Sequence, residues 1–444
     1  MNYKIKSIFV YPKRYEEILA YLSIFLISLN NTLTYKQILG ISIDRFLEII
    51  LFFLIFPFFK DYFFKYRAFL YFFLAVLILC CFKLLILFFD DSNLSGDYES
   101  VARDVVRVFF FFIIFCLAFF AIKVLNLKAI KAYLIFTAPY FLLAFMQSPI
   151  TPFNEISFQI WLLFYESQLL VDNWYAEFLY RDYNRFHFLV RVIGPYSSPI
   201  LLCYALIPPI IFSAFLYLQE NKIKYYAWFI FLSFVAFLTL TRSLLLGTFL
   251  MILYLAFMQL YLRRDRWIVI LQSLTVLVSI PFLLTQFSEL ADFGRIVDLA
   301  DVFSGDSSRT IAWTSGFIAL IENPFYFTAV DDYLPIFNEA CIRSKNCFDV
   351  ISMHNGFLRI GRDFSIFGLA LTLILFSHLI YCFLNQKIFF KSFFVFSLLL
   401  FFIHTFFHNN TIFISEYTIL IFLAFTYIFT YSKKISLTES IVHN

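Results

Sequence analysis

Apolar runs of about twenty residues recur from one end of this chain to the other, the length that carries an α-helix across ~30 Å of hydrocarbon. A backbone in that medium must satisfy its own hydrogen bonds, so runs of this kind fold as a bundle of helices. About twelve are placed near 17 to 34, 45 to 59, 68 to 89, 105 to 122, 132 to 148, 197 to 218, 225 to 240, 243 to 261, 267 to 285, 365 to 385, 392 to 408 and 411 to 431. The second is short, and the seventh and eighth nearly abut. The expected fold class is all-α, a single polytopic transmembrane domain over 1–444. Composition agrees: 62% of residues are hydrophobic, 14% are charged, and the mean hydropathy is +0.83, more apolar surface than a water-soluble core hides. Lys4, Lys6, Lys13 and Arg14 precede an apolar run of spanning length, so no cleavable signal is expected.

With the N-terminus inside, every second connection collects basic residues: Lys60, Lys65 and Arg67; Lys123, Lys128 and Lys131; Lys222 and Lys224; Arg263, Arg264 and Arg266; Lys387 and Lys391. Lys433 and Lys434 continue the alternation at the C-terminus. That is the positive-inside pattern, and it puts both termini in the cytoplasm. The formal net charge of +4 conceals a strong asymmetry between the two sides and carries no indication of nucleic-acid binding.

The basic residues also sort by type. The inner side holds 14 Lys and 5 Arg; the outer side and the spans hold 12 Arg and 3 Lys. Topology requires only positive charge. Arginine in preference to lysine suits planar, bidentate recognition of phosphate or carboxylate by a group that never deprotonates. The plainer reading is that many of these arginines neutralise acids of the same loops.

Two outer connections are large, 149–196 and 286–364, whereas the inner ones are short, so material is handled on the outer face. In the first, Ile156 to Leu170 reads as a helix lying in the headgroup region, or as a packed or re-entrant segment. In the second, Ser307 or Ser308 can cap a helix that carries Arg309 in its first turn and stops at Asn323 and Pro324. An arginine beside the free N–H groups of a helix N-terminus makes an anion site. His354, Asn355 and Gly356 then precede an apolar stretch with Arg359 and Arg362 that enters a span at Ser365.

Other polar residues have local explanations. Arg242 stands at the junction of two spans, where a charge is functional by default; Arg309 can instead pair with Asp306, and Arg362 with Asp363. Lys83 either reaches a lipid phosphate or, the favoured reading, snorkels to the interface. His404 and His408 are spaced to share a helix face, but only Glu416 offers a third ligand, and no metal site is assigned. Cys341 and Cys347 lie in the outer loop and can close a disulfide bracing the segment before His354, or remain free thiols. The other five cysteines lie in spans as small core residues.

The run Thr241-Arg242-Ser243 followed by Leu-Leu-Leu-Gly, then Ser308-Arg309-Thr310 with Trp313 and Glu322-Asn323-Pro324, then His354-Asn355-Gly356-Phe357-Leu358 with Phe367-Gly368-Leu369, resembles the bacterial O-antigen polymerase and O-antigen ligase superfamily. Arg191-Val-Ile-Gly194-Pro195, ending at Pro199, is similar to a further stretch of that family. The resemblance covers about 191 to 370, in the family's order.

It implies a GT-C-like fold of about twelve helices with two large periplasmic loops, 149–196 and 286–364, the latter carrying the catalytic region. It implies a metal-independent glycosyltransferase of the inner membrane, without a cofactor, whose donor is a glycan on undecaprenyl diphosphate. Arg242 and Arg309 would bind the diphosphate and His354 would be the base on the acceptor hydroxyl; Arg191, as a third diphosphate ligand, and Arg359 and Arg362, as additional contacts, each read equally as a phosphate contact or a local ion pair. The expected activity is that of a polymerase, moving the growing glycan onto the terminal sugar of a second carrier-linked repeat unit. Partners would be the lipid-linked donor and acceptor, the bilayer and a chain-length regulator. The alternative within the family is the ligase, which delivers glycan to lipid A core; outside it stands a flippase of the lipid-linked glycan, against which the lack of symmetric halves argues.

Overall fold

Helices form where the sequence places its apolar runs. The structure, a computed structural model, describes residues 14–29, 37–38, 41–63, 67–89, 95–148, 151–153, 156–157, 159–160, 191–196, 198–239, 241–261, 308–322, 324–325, 338–339, 355–384 and 388–408. In chain order its helices are α1 (Arg14–Leu29), α2 (Ile43–Phe63), α3 (Arg67–Phe89), α4 (Ser95–Leu125), α5 (Leu127–Met146), α6 (Pro199–Glu220), α7 (Ile223–Leu238), α8 (Arg242–Tyr261), α9 (Ser308–Glu322), α10 (Gly356–Leu384) and α11 (Ile388–Phe406). A two-residue antiparallel ladder, β1 (Gln37–Ile38) with β2 (Ile41–Ser42), precedes α2 and was not foreseen in the sequence. Among the described residues, four helices are long and apolar enough to cross a membrane: Val105–Leu125 of α4, α5, α6 and Ser243–Tyr261 of α8. The expected runs at 267 to 285 and 411 to 431 lie outside the described residues.

α6 is apolar on every face, and all its residues from Leu202 to Leu218 are buried, which makes it a central strut of the bundle. Ser198 caps it, its hydroxyl accepting from the Leu201 N–H at 3.3 Å, and Pro199 enters at the first turn, where no amide is missed. Asn221, left-handed at φ 52°, ends it. Around α6 stand α5, α7, α8 and α11; α1 to α4 form a second group joined to the first through α1 against α5 and through α4 against α5. The α1 to α4 group is held by rings. Phe73 of α3 meets Phe111, Phe112 and Phe115 of α4 at centroid distances of 5.1, 5.6 and 5.3 Å.

The basic end of the bundle is recognisable. Glu220 at the end of α6 pairs with Lys131 of α5 and, at 2.9 Å, with Lys222 before α7, while Tyr254 of α8 meets Ser392 of α11 at 3.0 Å. The opposite end gathers the C-termini of α5, α7 and α11 with the N-termini of α6, α8 and α10.

Two boundaries differ instructively from the sequence reading. The basic connection at 123–131 is helical on both sides of a single break, Asn126 at φ 54°, so α5 starts at Leu127 and not near 132. α10 starts at Gly356 and bends at Ser365 (φ 56°, ψ −164°), the point where the sequence places the start of the span. The 360–364 stretch folds back on Gly368, where an added Cβ would lie 2.5 Å from Phe364 Cβ; only glycine fits there.

Candidate functional site

The end of the bundle opposite the lysine-rich one is where helices break, and broken helices expose N–H and C=O groups that need partners. Gln147, at the C-terminus of α5, supplies three bonds to the 191–196 stretch. Its Oε1 accepts from the Ile193 and Gly194 N–H groups at 3.0 and 2.8 Å, and its Nε2 donates to the Gly194 carbonyl at 3.0 Å. Gly194 has φ +61°, and a Cβ there would meet the Tyr140 carbonyl at 3.2 Å and Ala144 Cβ at 3.3 Å. Tyr196 follows, fully enclosed, and burial beside Tyr133 and Tyr140 pushes its phenol well above the ordinary tyrosine range.

The other edge of that stretch is tied to the α7–α8 break. The Val192 N–H donates to the Leu238 carbonyl at 3.2 Å. Arg191, half-buried, donates from Nε to the Thr239 carbonyl at 3.0 Å and from Nη2 to Thr241 Oγ1 at 3.1 Å. The next residue in the chain is Arg242, which opens α8; its side chain lies outside the described set.

Ser243, one residue on, joins two imidazoles. Its Oγ lies 2.9 Å from His404 Nδ1 and 2.9 Å from His408 Nε2. The two rings are 4.4 Å apart between centroids, and Tyr204 of α6 stands 4.2 Å from His404. A single hydroxyl proton can serve one ring only, so one imidazole accepts from Ser243 and the other donates to it; because His404 faces it with Nδ1 and His408 with Nε2, both rings then carry their proton on the same kind of nitrogen, both on Nε2 or both on Nδ1. His404 Nε2 is buried near the Ile200 backbone. Among the described residues no third acid, thiol or imidazole joins the two histidines, and the arrangement serves as a clasp between α8 and α11. One turn further along α8, Gly247 lets α11 approach: an added Cβ would lie 3.2 Å from Leu400 Cα and against its Cδ1.

The later motifs are placed by backbone. α9 starts at Ser308 and ends at Glu322, the bounds the sequence gives it, with Arg309 in its first turn; that side chain is not described. Trp313 of α9 packs on Phe406 and Phe407 at the end of α11, at centroid distances of 5.1 and 6.0 Å. His354, Cys341 and Cys347 lie outside the described residues. Asn355 caps α10, its Oδ1 accepting from the Phe357 and Leu358 N–H groups at 2.9 and 3.1 Å. Arg359 donates to Asp363 Oδ2 at 3.3 Å, so the carboxylate the sequence offers to Arg362 is engaged one turn back; the Arg362 side chain is not described.

Of the proposed site residues, the structure thus joins Arg191 to the run that contains Arg242, and it sets α9 and the start of α10 against the end of α11 through Trp313 and through Phe357, whose ring is 5.6 Å from Phe402. Gln147, Ser243 and the paired roles of His404 and His408 were not foreseen. An amide at the end of an apolar helix was the one local signal for Gln147. Lys83 does not snorkel: it is 9% exposed, its ammonium over the Phe364 ring. Arg45, one of the arginines expected on the outer side, is buried at the start of α2 with its guanidinium 4.5 Å from the Phe110 centroid. Comparison with family models, curated proteins and solved structures finds no significant match to this chain.

Proposed function

We propose that the chain is an O-antigen polymerase of the bacterial inner membrane, with about twelve spans, cytoplasmic termini and a periplasmic catalytic face. The observation that supports this reading best is the pair of bonds from Arg191 to the α7–α8 break from which Arg242 emerges. Two elements of the motif set that are 50 residues apart in sequence meet there, at the end of the bundle away from the lysines.

In the proposed reaction an acceptor hydroxyl attacks the anomeric carbon of the donor glycan. The new C–O bond forms as the bond to undecaprenyl diphosphate breaks, and the departing diphosphate keeps the electron pair. His354 takes the hydroxyl proton, for which a neutral imidazole with an ordinary pKa of ~6.5 is suited near neutral pH. Arg242 and Arg309 hold the diphosphate, and fixed guanidinium groups stabilise its developing charge without reorganising as the bond breaks. Arg191 contributes by fixing the backbone that presents Arg242, and Arg359 and Arg362 stand on the helix that follows His354.

The test is genetic and chemical together. A strain lacking the chain should show surface glycan stopped at core carrying one repeat unit, and His354→Ala should reproduce that pattern with the protein present at normal level. Bare core with polymer retained on the carrier would make the chain a ligase. Repeat units stranded on the inner leaflet would make it a flippase.

A further inference from the structure

A cation buried in an apolar helix is costly unless an anion or a set of hydrogen bonds answers it. Lys83 of α3 is such a cation. It is 9% exposed, and its ammonium sits 5.6 Å from the centroid of Phe364. A cation–π contact returns only part of the cost of burial. Among the described residues no carboxylate lies within ion-pair distance of it.

The neighbouring backbone is also electropositive. Ser365 breaks α10, and a new helix of residues 366–384 starts directly after the ring that Lys83 covers. Its first amides are held in place, Ile366 N–H by the Pro324 carbonyl at 2.9 Å and Phe367 N–H by Ser365 Oγ at 3.4 Å. Those two donors are already taken, so what the helix end adds beside the lysine is the dipole of its peptide units and not free N–H groups. Phe82 and Leu85 on α3, and Ile366 and Phe367 on α10, are exposed. The cation thus sits behind an apolar surface suited to a hydrocarbon tail.

This place is separate from the α8 end. α3 packs on α4 and α10, whereas α8 packs on α6, α7 and α11, and α10 stands between. Phe364 faces Lys83, while Phe357 and Phe376 of the same helix pack on Phe402 of α11.

We propose that Lys83 and the start of the second half of α10 form a phosphate site for a lipid-borne ligand, and that its occupant is the diphosphate of the acceptor carrier. The identity of the occupant rests on the polymerase reading: a reaction that joins two carrier-linked glycans holds two lipid diphosphates at once. Arg242 and Arg309 hold the one that leaves. Lys83 holds the one that stays.

The test uses the full chain in nanodiscs with undecaprenyl diphosphate as probe, bound carriers being counted by native mass spectrometry without turnover. Wild type should bind two. Lys83→Met should be at least as stable as wild type, since it removes a buried charge, yet bind one carrier as before and the second about tenfold or more weaker, the loss of one charge-assisted bond. Lys83→Arg should retain both. Excess phosphatidylglycerol should not displace the second carrier; if it does at equal concentration, the site is for bulk anionic lipid and the acceptor assignment falls. One bound carrier in wild type, or two in Lys83→Met, overturns the site. A wild type that binds two carriers yet polymerises nothing sinks the polymerase reading and leaves the phosphate site standing.

Discussion

Gly247→Ala tests the close approach of α8 to α11. The added methyl would lie 3.2 Å from Leu400 Cα, a backbone atom, where 3.4–4 Å is ordinary contact. It would also strike Leu400 Cδ1, which can rotate away; the backbone cannot. α8 and α11 must therefore part by a few tenths of an ångström, and overpacking of this kind costs about 1–3 kcal/mol. The displacement has a lever, because Ser243 is one helical turn from Gly247, about 6 Å along the axis. Its bonds to His404 and His408, both 2.9 Å, would lengthen on the same side. The assay is thermal unfolding of the purified chain in detergent, for Gly247→Ala, Leu400→Ala and the double variant. Leu400→Ala alone removes a fully buried side chain and should cost about 2–5 kcal/mol. The double variant should cost less than the sum by about 0.5 kcal/mol or more, because the alanine methyl fills space that leucine vacates. Strict additivity, or a Gly247→Ala chain as stable as wild type, would refute the close approach of α8 to α11.

Ser243→Ala strips both imidazoles of a buried partner and should cost about 1–3 kcal/mol in the same unfolding assay, whereas an exposed Tyr261→Ala should change little. Gln147→Leu leaves two N–H groups and one carbonyl of 193–194 without their partner and should abolish polymerisation, read by glycan gel, while the chain still inserts. Arg191→Lys keeps the charge but loses the planar fork that sets Nε and Nη2 on the Thr239 carbonyl and Thr241 Oγ1 in fixed geometry, so polymer yield should fall about tenfold if the chain is the polymerase proposed. Ser365→Gly relieves a positive-φ residue but removes the Oγ that holds the Phe367 N–H, so stability should stay within about 1 kcal/mol of wild type, whereas Ser365→Val, strained and without that oxygen, should lower it by about 1–2 kcal/mol.

Local signals account for what could be read in advance. The serine pair Ser307 and Ser308 as a start signal and Asn323-Pro324 as a stop bracket α9 at both ends, because capping and proline chemistry act within one turn. Ser365 was legible as a boundary since it separates an arginine-bearing stretch from a clean apolar run. Charge misled the placement of α5: lysine is a good helix former, and Lys123 and Lys128 are helical on either side of Asn126. Pro57 did not shorten α2, which runs to Phe63. Tertiary pairings were out of reach. Ser243 meets His404 across 161 residues, and nothing in either segment's periodicity names the other. The helical spacing of His404 and His408 gave their common face, but not that a hydroxyl would occupy the position of a metal. Lys83 was misjudged for the same reason, because snorkelling presumes a lipid-facing side chain and α10 covers this one.

These polar devices share a cause. Inside an unbroken helix every amide and carbonyl is used, so the apolar body of the bundle can hold rings and aliphatics but offers little to a charged ligand. Breaks release those groups, and at four of them side chains satisfy the freed groups: Gln147 and Arg191 at the 191–196 stretch and the α7–α8 junction, Asn355 at the start of α10, Ser365 within it. In the reaction proposed, with the Arg191 guanidinium already fixed to a carbonyl, Arg242 would meet a substrate phosphate without first ordering the loop that carries it. That lowers the entropic cost of binding, and it requires the scaffold beneath to be stiff. The clasp of Ser243 with His404 and His408, and the glycine contact one turn below it, provide that stiffness directly under Arg242.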